Sequence, residues 1–209
     1  MKKIIAIVAL FASMAIAGAQ QLGVTGGLTL SKMNGISNPK DTKAVALYSA
    51  GVLYKANLGA GFAIQPELLW QVKGANIQEN VGALDNVIKS RSNNVELGLG
   101  LQWGPDLLAF RPYLFVEPYL GYSLSGKETY AMAESDVNKQ DFSNARNKLE
   151  YGVGAGIGVE IASHVQISWQ LFRNMGPLYN KEKIPANYQI SYDNLKNYQG
   201  MKINLAILF

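Results

Sequence analysis

The sequence predicts an all-β protein, an eight-stranded antiparallel up-and-down transmembrane β-barrel. Three features predict it: eight segments whose apolar and polar residues alternate, connections that are alternately long and short, and a secretory leader with no long apolar run behind it. Period-two alternation points successive side chains into two different environments. Helical periodicity is absent from all eight segments.

The leader comes first. Lys2 and Lys3 precede an apolar stretch from Ile4 to Ile16 broken only by Ser13, and Ala17-Gly18-Ala19 has the form of a cleavage site. This layout predicts a cleaved signal peptide over residues 1–19 and one barrel domain over 20–209. An uncleaved anchor is the competing reading, but the apolar run is shorter than the roughly 20 residues of a spanning helix. The sequence has no cysteine, which excludes disulfides and a lipid-anchored lipoprotein. The formal charge of +4 includes Lys2 and Lys3, so the remaining chain carries about +2, and no nucleic-acid partner is expected. Many of the 21 glycines alternate with apolar residues, as in strands with one small-residue face.

The first segment, Gln21 to Lys32, sets Leu22, Val24, Gly26, Leu28 and Leu30 against Gln21, Gly23, Thr25, Gly27, Thr29 and Ser31. The second, about Ala46 to Ala56, opposes Tyr48, Ala50, Val52 and Tyr54 to Ser49, Gly51 and Lys55, with Leu47 and Leu53 out of place on the polar side. In the third, Phe62 to Gly74, Phe62, Ile64, Pro66, Leu68, Trp70 and Val72 oppose Gln65, Glu67, Gln71 and Lys73. The fourth, Asn93 to Trp103, opposes Val95, Leu97, Leu99, Leu101 and Trp103 to Glu96, Gly98, Gly100 and Gln102.

The fifth, Arg111 to about Leu124, sets Leu114, Val116, Pro118, Leu120 and Tyr122 against Arg111, Tyr113, Glu117, Tyr119 and Ser123. The sixth, Leu149 to Ile161, opposes seven apolar residues to Glu150, four glycines and Glu160. The seventh, Val165 to about Met175, and the eighth, Tyr198 to Phe209, repeat the pattern, with Gln166, Ser168 and Gln170, then Gly200, Lys202 and Asn204, on their polar faces.

Short turns at 57–61, 104–110 and 162–164 alternate with long polar connections at 33–45, 75–92, 125–148 and 176–197. That parity is the layout of an outer-membrane barrel of a Gram-negative cell, with both termini and the short turns in the periplasm. An even strand count lets the first and last strands pair and abolishes free edges.

Several stretches resemble the outer-membrane β-barrel domain proteins common in Bacteroidetes, the porin-family or PorT-like group. They are Leu22-Gly23-Val24-Thr25-Gly26-Gly27-Leu28-Thr29-Leu30-Ser31, Gln65-Pro66-Glu67-Leu68-Leu69-Trp70 followed by Lys73-Gly74-Ala75, and Arg111-Pro112-Tyr113-Leu114 with Pro118-Tyr119-Leu120-Gly121-Tyr122. The glycine-rich sixth segment and Asn174-Met175-Gly176 are also similar. Phe172-Arg173-Asn174 stands where the family has Arg-Tyr-Asn, and the fourth segment lacks its Pro-Leu-rich pattern. The resemblance implies fold and location and no common activity.

An eight-stranded lumen is filled by side chains. Lys55, Glu67, Lys73, Glu96, Arg111, Glu117, Glu150, Glu160 and Lys202 fall on its face. Glu67, Glu117 and Lys202 are expected near mid-height in one ionic cluster, because confined charge must be paired. The alternative role for that cluster is an ion path or proton relay; a structural plug is preferred, because Tyr113, Phe115 and Tyr119 also point inward. The run Gly152-Val-Gly-Ala-Gly-Ile-Gly158 lacks the turn and following helix of a phosphate loop. It reads instead as space for Tyr113, Phe115 and Tyr119 or for Phe172.

His164, the sole histidine, falls in a short turn, and no catalytic triad, cofactor site or metal site can be assembled around it. Two aromatic girdles are expected: Tyr54, Phe62, Trp103 and Phe209 toward one interface, and Tyr48, Trp70, Tyr122 and Tyr151 toward the other. Arg173, on the lipid-facing parity, is placed to snorkel to an outer-leaflet phosphate. Phe209 ends the last segment and resembles the signal read by the barrel-assembly machinery. The polar stretches Glu134–Asp141 and Asn180–Lys183 read as solvated loops.

The expected function is that of an integral outer-membrane barrel of structural, interaction or adhesion type, plugged and not an enzyme. Its expected partners are outer-membrane lipid including lipopolysaccharide, the barrel-assembly machinery and an extracellular partner. A narrow porin-like channel for small solutes is the alternative, and an enzyme modifying lipid or peptide a third reading.

Overall fold

A computed structural model describes residues 20–34, 42–43, 45–81, 84–107, 109–132, 147–176 and 197–209. Residues 32–34, 42–43, 75–81, 84–90 and 127–132 enter through their backbone alone. The expected signal peptide and the polar stretches Glu134–Asp141 and Asn180–Lys183 lie outside the described residues.

Eight long strands follow in order: β1 (Gln20–Asn34), β2 (Val45–Gly59), β3 (Phe62–Val81), β4 (Leu84–Trp103), β5 (Phe110–Met132), β6 (Leu149–Ile161), β7 (Val165–Asn174) and β8 (Asn197–Leu208). Each pairs antiparallel with its neighbours in sequence. β1 and β8 close the ring from Gly23↔Leu208 to Asn34↔Asn197. Closure leaves the membrane-spanning part with no unpaired edge, the condition for a sheet in hydrocarbon.

The register gives the barrel's size. From Gln20 the cross-strand partners run through Ala56, Ile64, Leu101, Val116, Ala155, Leu171 and Met201 back to β1 at Leu30, ten residues further along. A stagger of ten on eight strands tilts them by about 45° and sets a backbone radius of about 8 Å.

The two faces are inverted relative to a water-soluble protein. Leu22, Leu28, Leu114, Ile157, Ile203 and Leu205 are exposed on the outside, while Thr29, Gln71, Lys73, Glu96, Gln170 and Lys202 are buried inside. Apolar side chains facing outward are stable only against lipid. At one end of β7 and β8 the apolar row Leu171–Met201 gives way to Arg173–Gln199, so the outward face turns polar there.

Gln20, Phe209 and the short turns lie at one rim, the turn end; the opposite rim is the loop end. Three strands do not stop at the loop end as the sequence suggested. Residues 75–92 and the start of 125–148, expected as loops, continue β3, β4 and β5 as paired strands to Val81, Leu84 and Met132. The flanking pairings stop earlier, at Ser49↔Gln71 and Tyr122↔Leu149. Ten residues of extension amount to about 30 Å of strand beyond the barrel rim. Thr42–Lys43 add a two-residue pairing onto Asn76 and Ile77. Outside the membrane no lipid/lumen partition enforces alternation, so these strands left no period-two signature.

Residues with a Cβ hold positive φ in two turns, Ala60 at 51° and the pair at 162–163. Ala162 and Ser163 both have positive φ, 49° and 60°, and His164 N donates to Ile161 O at 3.0 Å. This is a two-residue turn of the mirror-image type that matches strand twist, in which Asn-Gly is favoured. A left-handed conformation costs roughly 1–2 kcal/mol at a residue with a Cβ. Ser163→Gly is therefore expected to raise the unfolding free energy by about 1 kcal/mol, measured by urea unfolding in lipid vesicles. A lower value would contradict the turn assignment.

Candidate functional site in the barrel lumen

All nine charged residues that the alternation assigns to the lumen are buried there, five carboxylates against four cations. They form two networks separated along the axis.

Toward the turn end, Lys55 Nζ donates to both oxygens of Glu160 at 2.7 and 2.6 Å, and Gln166 Nε2 donates to Glu160 at 2.9 Å. Arg111 contacts Asp106 at 3.2 Å and donates to Gly61 O at 2.8 Å and Gln102 Oε1 at 3.0 Å. Gln102 passes the chain to Gln65 at 2.9 Å, and Gln65 to Glu67 at 2.6 Å. The planar, multiply donating guanidinium suits this branch point. Outside it opens a vestibule of about 420 Å³ walled by Lys55, Asp106, Phe110, Arg111 and Glu160.

Toward the loop end, Glu96 is clamped between Lys202 and Lys73, each at 2.7 Å. Lys73 also lies 3.4 Å from Glu150, which accepts from Asn174 Nδ2 at 2.9 Å. Asn174 Oδ1 in turn accepts from the Tyr119 hydroxyl. Both lysines stand over aromatic faces: Lys73 is 4.7 Å and Lys202 5.3 Å from the Tyr119 centroid, and Lys202 is 5.3 Å from that of Phe172. Desolvated ammonium groups gain from such faces.

The three residues expected to cluster are placed differently. Glu67, Glu117 and Lys202 are all buried in the lumen and close enough to act on one another electrostatically. The ion pair of Lys202, however, is made with Glu96. Glu67 takes its hydrogen bond from Gln65. Glu117 lies over Gly98, where a Cβ would come 3.0 Å from Glu117 Oε1. Sequence parity gives the facing of each charge but not its height, which depends on the stagger around the barrel.

The glycines of β6 act as sockets. Tyr113, Phe115 and Tyr119 are the cross-strand partners of Gly158, Gly156 and Gly152, and a methyl on each glycine would overlap its aromatic ring. Gly154 makes room for Gln170 instead. Between the networks lies a cavity of about 10 Å³, lined by Gln65, Glu67, Tyr113, Glu117, Ser168 and Asn204 among others. That is about one water molecule's worth.

An apolar seal at the turn end was not anticipated. Leu53, Ala206 and Leu208 cluster inside the lumen, and Gly23 leaves the space that Leu208 and Leu53 occupy. Its traces in the sequence are Leu53 on the polar side of the second segment and Ala206 and Leu208 on that of the eighth. Leu47 and Leu69 are likewise buried inside.

Outside, Phe62 and Trp103 pair at 6.5 Å near the turn end, and Tyr48 and Trp70 at 5.5 Å near the loop end. Tyr122, Tyr151 and Phe209 are exposed as well. Tyr54, expected in the girdle, is buried, and its hydroxyl donates to Gln20 Oε1. Phe110 is an exposed aromatic that the alternation missed. Arg173 is exposed on the outward face. Phe209 N donates to Leu22 O at 2.7 Å. His164 lies in its turn with Nδ1 2.6 Å from Ala162 O. Among the described residues no cluster of three His, Cys, Asp or Glu is poised for a metal.

Residues 17–179 match the family described as outer membrane protein beta-barrel domain. No curated protein matches the sequence. Solved structures of similar shape include a major outer membrane protein from Thermus thermophilus, at 11% identity, 91% of this chain, 100% of that one and a TM-score of 0.47. Ail, the attachment invasion locus protein of Yersinia pestis, shows 9% identity over 91% of this chain and 97% of its own, with a TM-score of 0.40. The outer membrane enzyme PagL shows 8% identity over 88% and 98%, with a TM-score of 0.44.

Glu96 is the hinge of the loop-end network. Glu96→Leu leaves Lys202 without its ion pair and is expected to cost about 3–5 kcal/mol. Urea unfolding in vesicles, followed by tryptophan fluorescence, measures it; a loss under about 1 kcal/mol would contradict the clamp.

Proposed function

This chain belongs to the outer membrane protein beta-barrel domain family, and we propose that it serves in the outer membrane as a plugged scaffold of structural, interaction or adhesion type. In this reading the loop end faces outward and the termini are periplasmic. The observation that carries it is the filled lumen. The space between its ionic networks, about 10 Å³, passes no hydrated solute. The second support is the extension of β3, β4 and β5 beyond the rim, which builds ordered surface where a partner would meet it. No catalytic step is assigned: His164 lies at the turn end, remote from that surface. Arg173, exposed at the upper limit of the apolar band, is the residue for a lipid phosphate, including that of lipopolysaccharide.

A narrow channel is the second reading, favoured by the 420 Å³ vestibule that opens at the turn end. Planar-bilayer recording separates the two. The native barrel is expected to be silent, and Tyr113→Ala/Phe115→Ala/Tyr119→Ala to conduct. Single-channel steps from the native protein would carry the channel reading instead.

Orientation is open to direct measurement, because the sequence has no cysteine. A membrane-impermeant maleimide on intact cells should label Ser125→Cys, exposed at the loop end, and spare Ser163→Cys. The reverse pattern would invert the barrel.

A further inference from the structure

We propose that the small mid-lumen cavity between Glu67 and Glu117 is a binding site for one monovalent cation, with sodium the best fit by size. The proposal is independent of what the outer surface binds, since the ion would be a structural part of the plug.

The first argument is charge. Every lumen cation is already engaged: Lys55 with Glu160, Arg111 with Asp106, Lys73 with Glu96 and Glu150, and Lys202 with Glu96. Among the described residues Glu67 and Glu117 make no ion pair of their own, and five lumen carboxylates face four lumen cations. Lys202 attracts both from a distance without pairing. With Arg111 taken by Asp106, both carboxylates are left in excess; one further positive charge would relieve part of that excess, and buried charge left unbalanced is costly.

The second argument is geometry. Glu67 is the cross-strand partner of Gly98 on β4, and the carboxylate of Glu117 occupies the space a side chain at Gly98 would fill. The missing side chain therefore brings the two carboxylates side by side, although they belong to β3 and β5. Both line the 10 Å³ cavity, whose other walls include Gln65, Gln102, Ser168 and Asn204. The two carboxylates supply the oxygen that hard cations take, while the oxygens of Gln65 and Gln102 are already engaged in the hydrogen-bonded chain from Arg111. The space suits an ion stripped of water.

The third argument is an orphaned atom. Glu117 is 4% exposed; Gln170 lies beside it, but no hydrogen bond of good geometry reaches its Oε1 among the described residues. A buried carboxylate oxygen left bare costs the desolvation of a charged group. A cation in the adjoining cavity satisfies it.

The test uses the folded full-length protein in detergent. Sodium chloride replaces choline chloride at constant ionic strength, and the midpoint of heat unfolding is read from the folded gel band. The midpoint should rise saturably with sodium, and Glu117→Gln should abolish the rise. Crystals grown in thallium(I) should show an anomalous peak between the two carboxylates, a readout that holds even if Glu117→Gln fails to fold. A midpoint indifferent to sodium would overturn the proposal, as would a cavity without the thallium peak, which then holds water or a shared proton. Bilayer silence or conductance bears only on the plug reading, so the two can fail separately.

Discussion

Backbone amides cannot be left bare in hydrocarbon, and most of the architecture follows from that requirement. It forces β8 back onto β1, and the ten-residue stagger of that closure fixes the barrel's radius. A radius of about 8 Å leaves an interior too narrow for bulk water and too polar for an ordinary core. The side chains inside must therefore satisfy one another. The paired lysines and glutamates, the tyrosine faces beneath them and the glycine sockets of β6 are all solutions to that confinement.

The lumen is organised by neighbours far apart in sequence. Lys55 meets Glu160 from across the barrel, and Glu96 joins Lys73 on β3 to Lys202 on β8. The bridges from Lys55 to Glu160 and from Glu96 to Lys202 tie together strands that share no backbone hydrogen bond. The interior thus braces the ring across its diameter, which the ladder around its circumference cannot do. Such pairs are weak evidence of stability against an apolar replacement, yet removing one member is severe.

Much of this was legible in the sequence. Parity assigned every lumen charge to its face, and the aromatics of β5 to the glycines opposite. It failed where its physical basis lapses. β3, β4 and β5 continue past the apolar band, where nothing imposes two environments, so residues 75–92 carry no alternation. Leu53 and Leu208 break the polar pattern because the lumen is sealed there with hydrocarbon. Glu67, Glu117 and Lys202 all lie inside, but Lys202 pairs with Glu96, because height along the axis comes from the tilt. A single strand read alone does not contain it. Tyr54 followed the lipid parity yet turned to Gln20, a local hydrogen bond that alternation does not encode.

The closing seam joins the two ends of the chain. Gly23 and Leu208 are partners at opposite extremes of the sequence, and Phe209 N completes the seam on Leu22 O. No intermediate lacking β8 has both edges covered, however many hairpins it has formed. The growing sheet therefore carries two sticky margins until its final strand arrives. Contacts of such sequence separation form slowly. For this protein the hazardous interval is the time spent open, and whatever guards the margins then governs yield more than the stability of the finished barrel does.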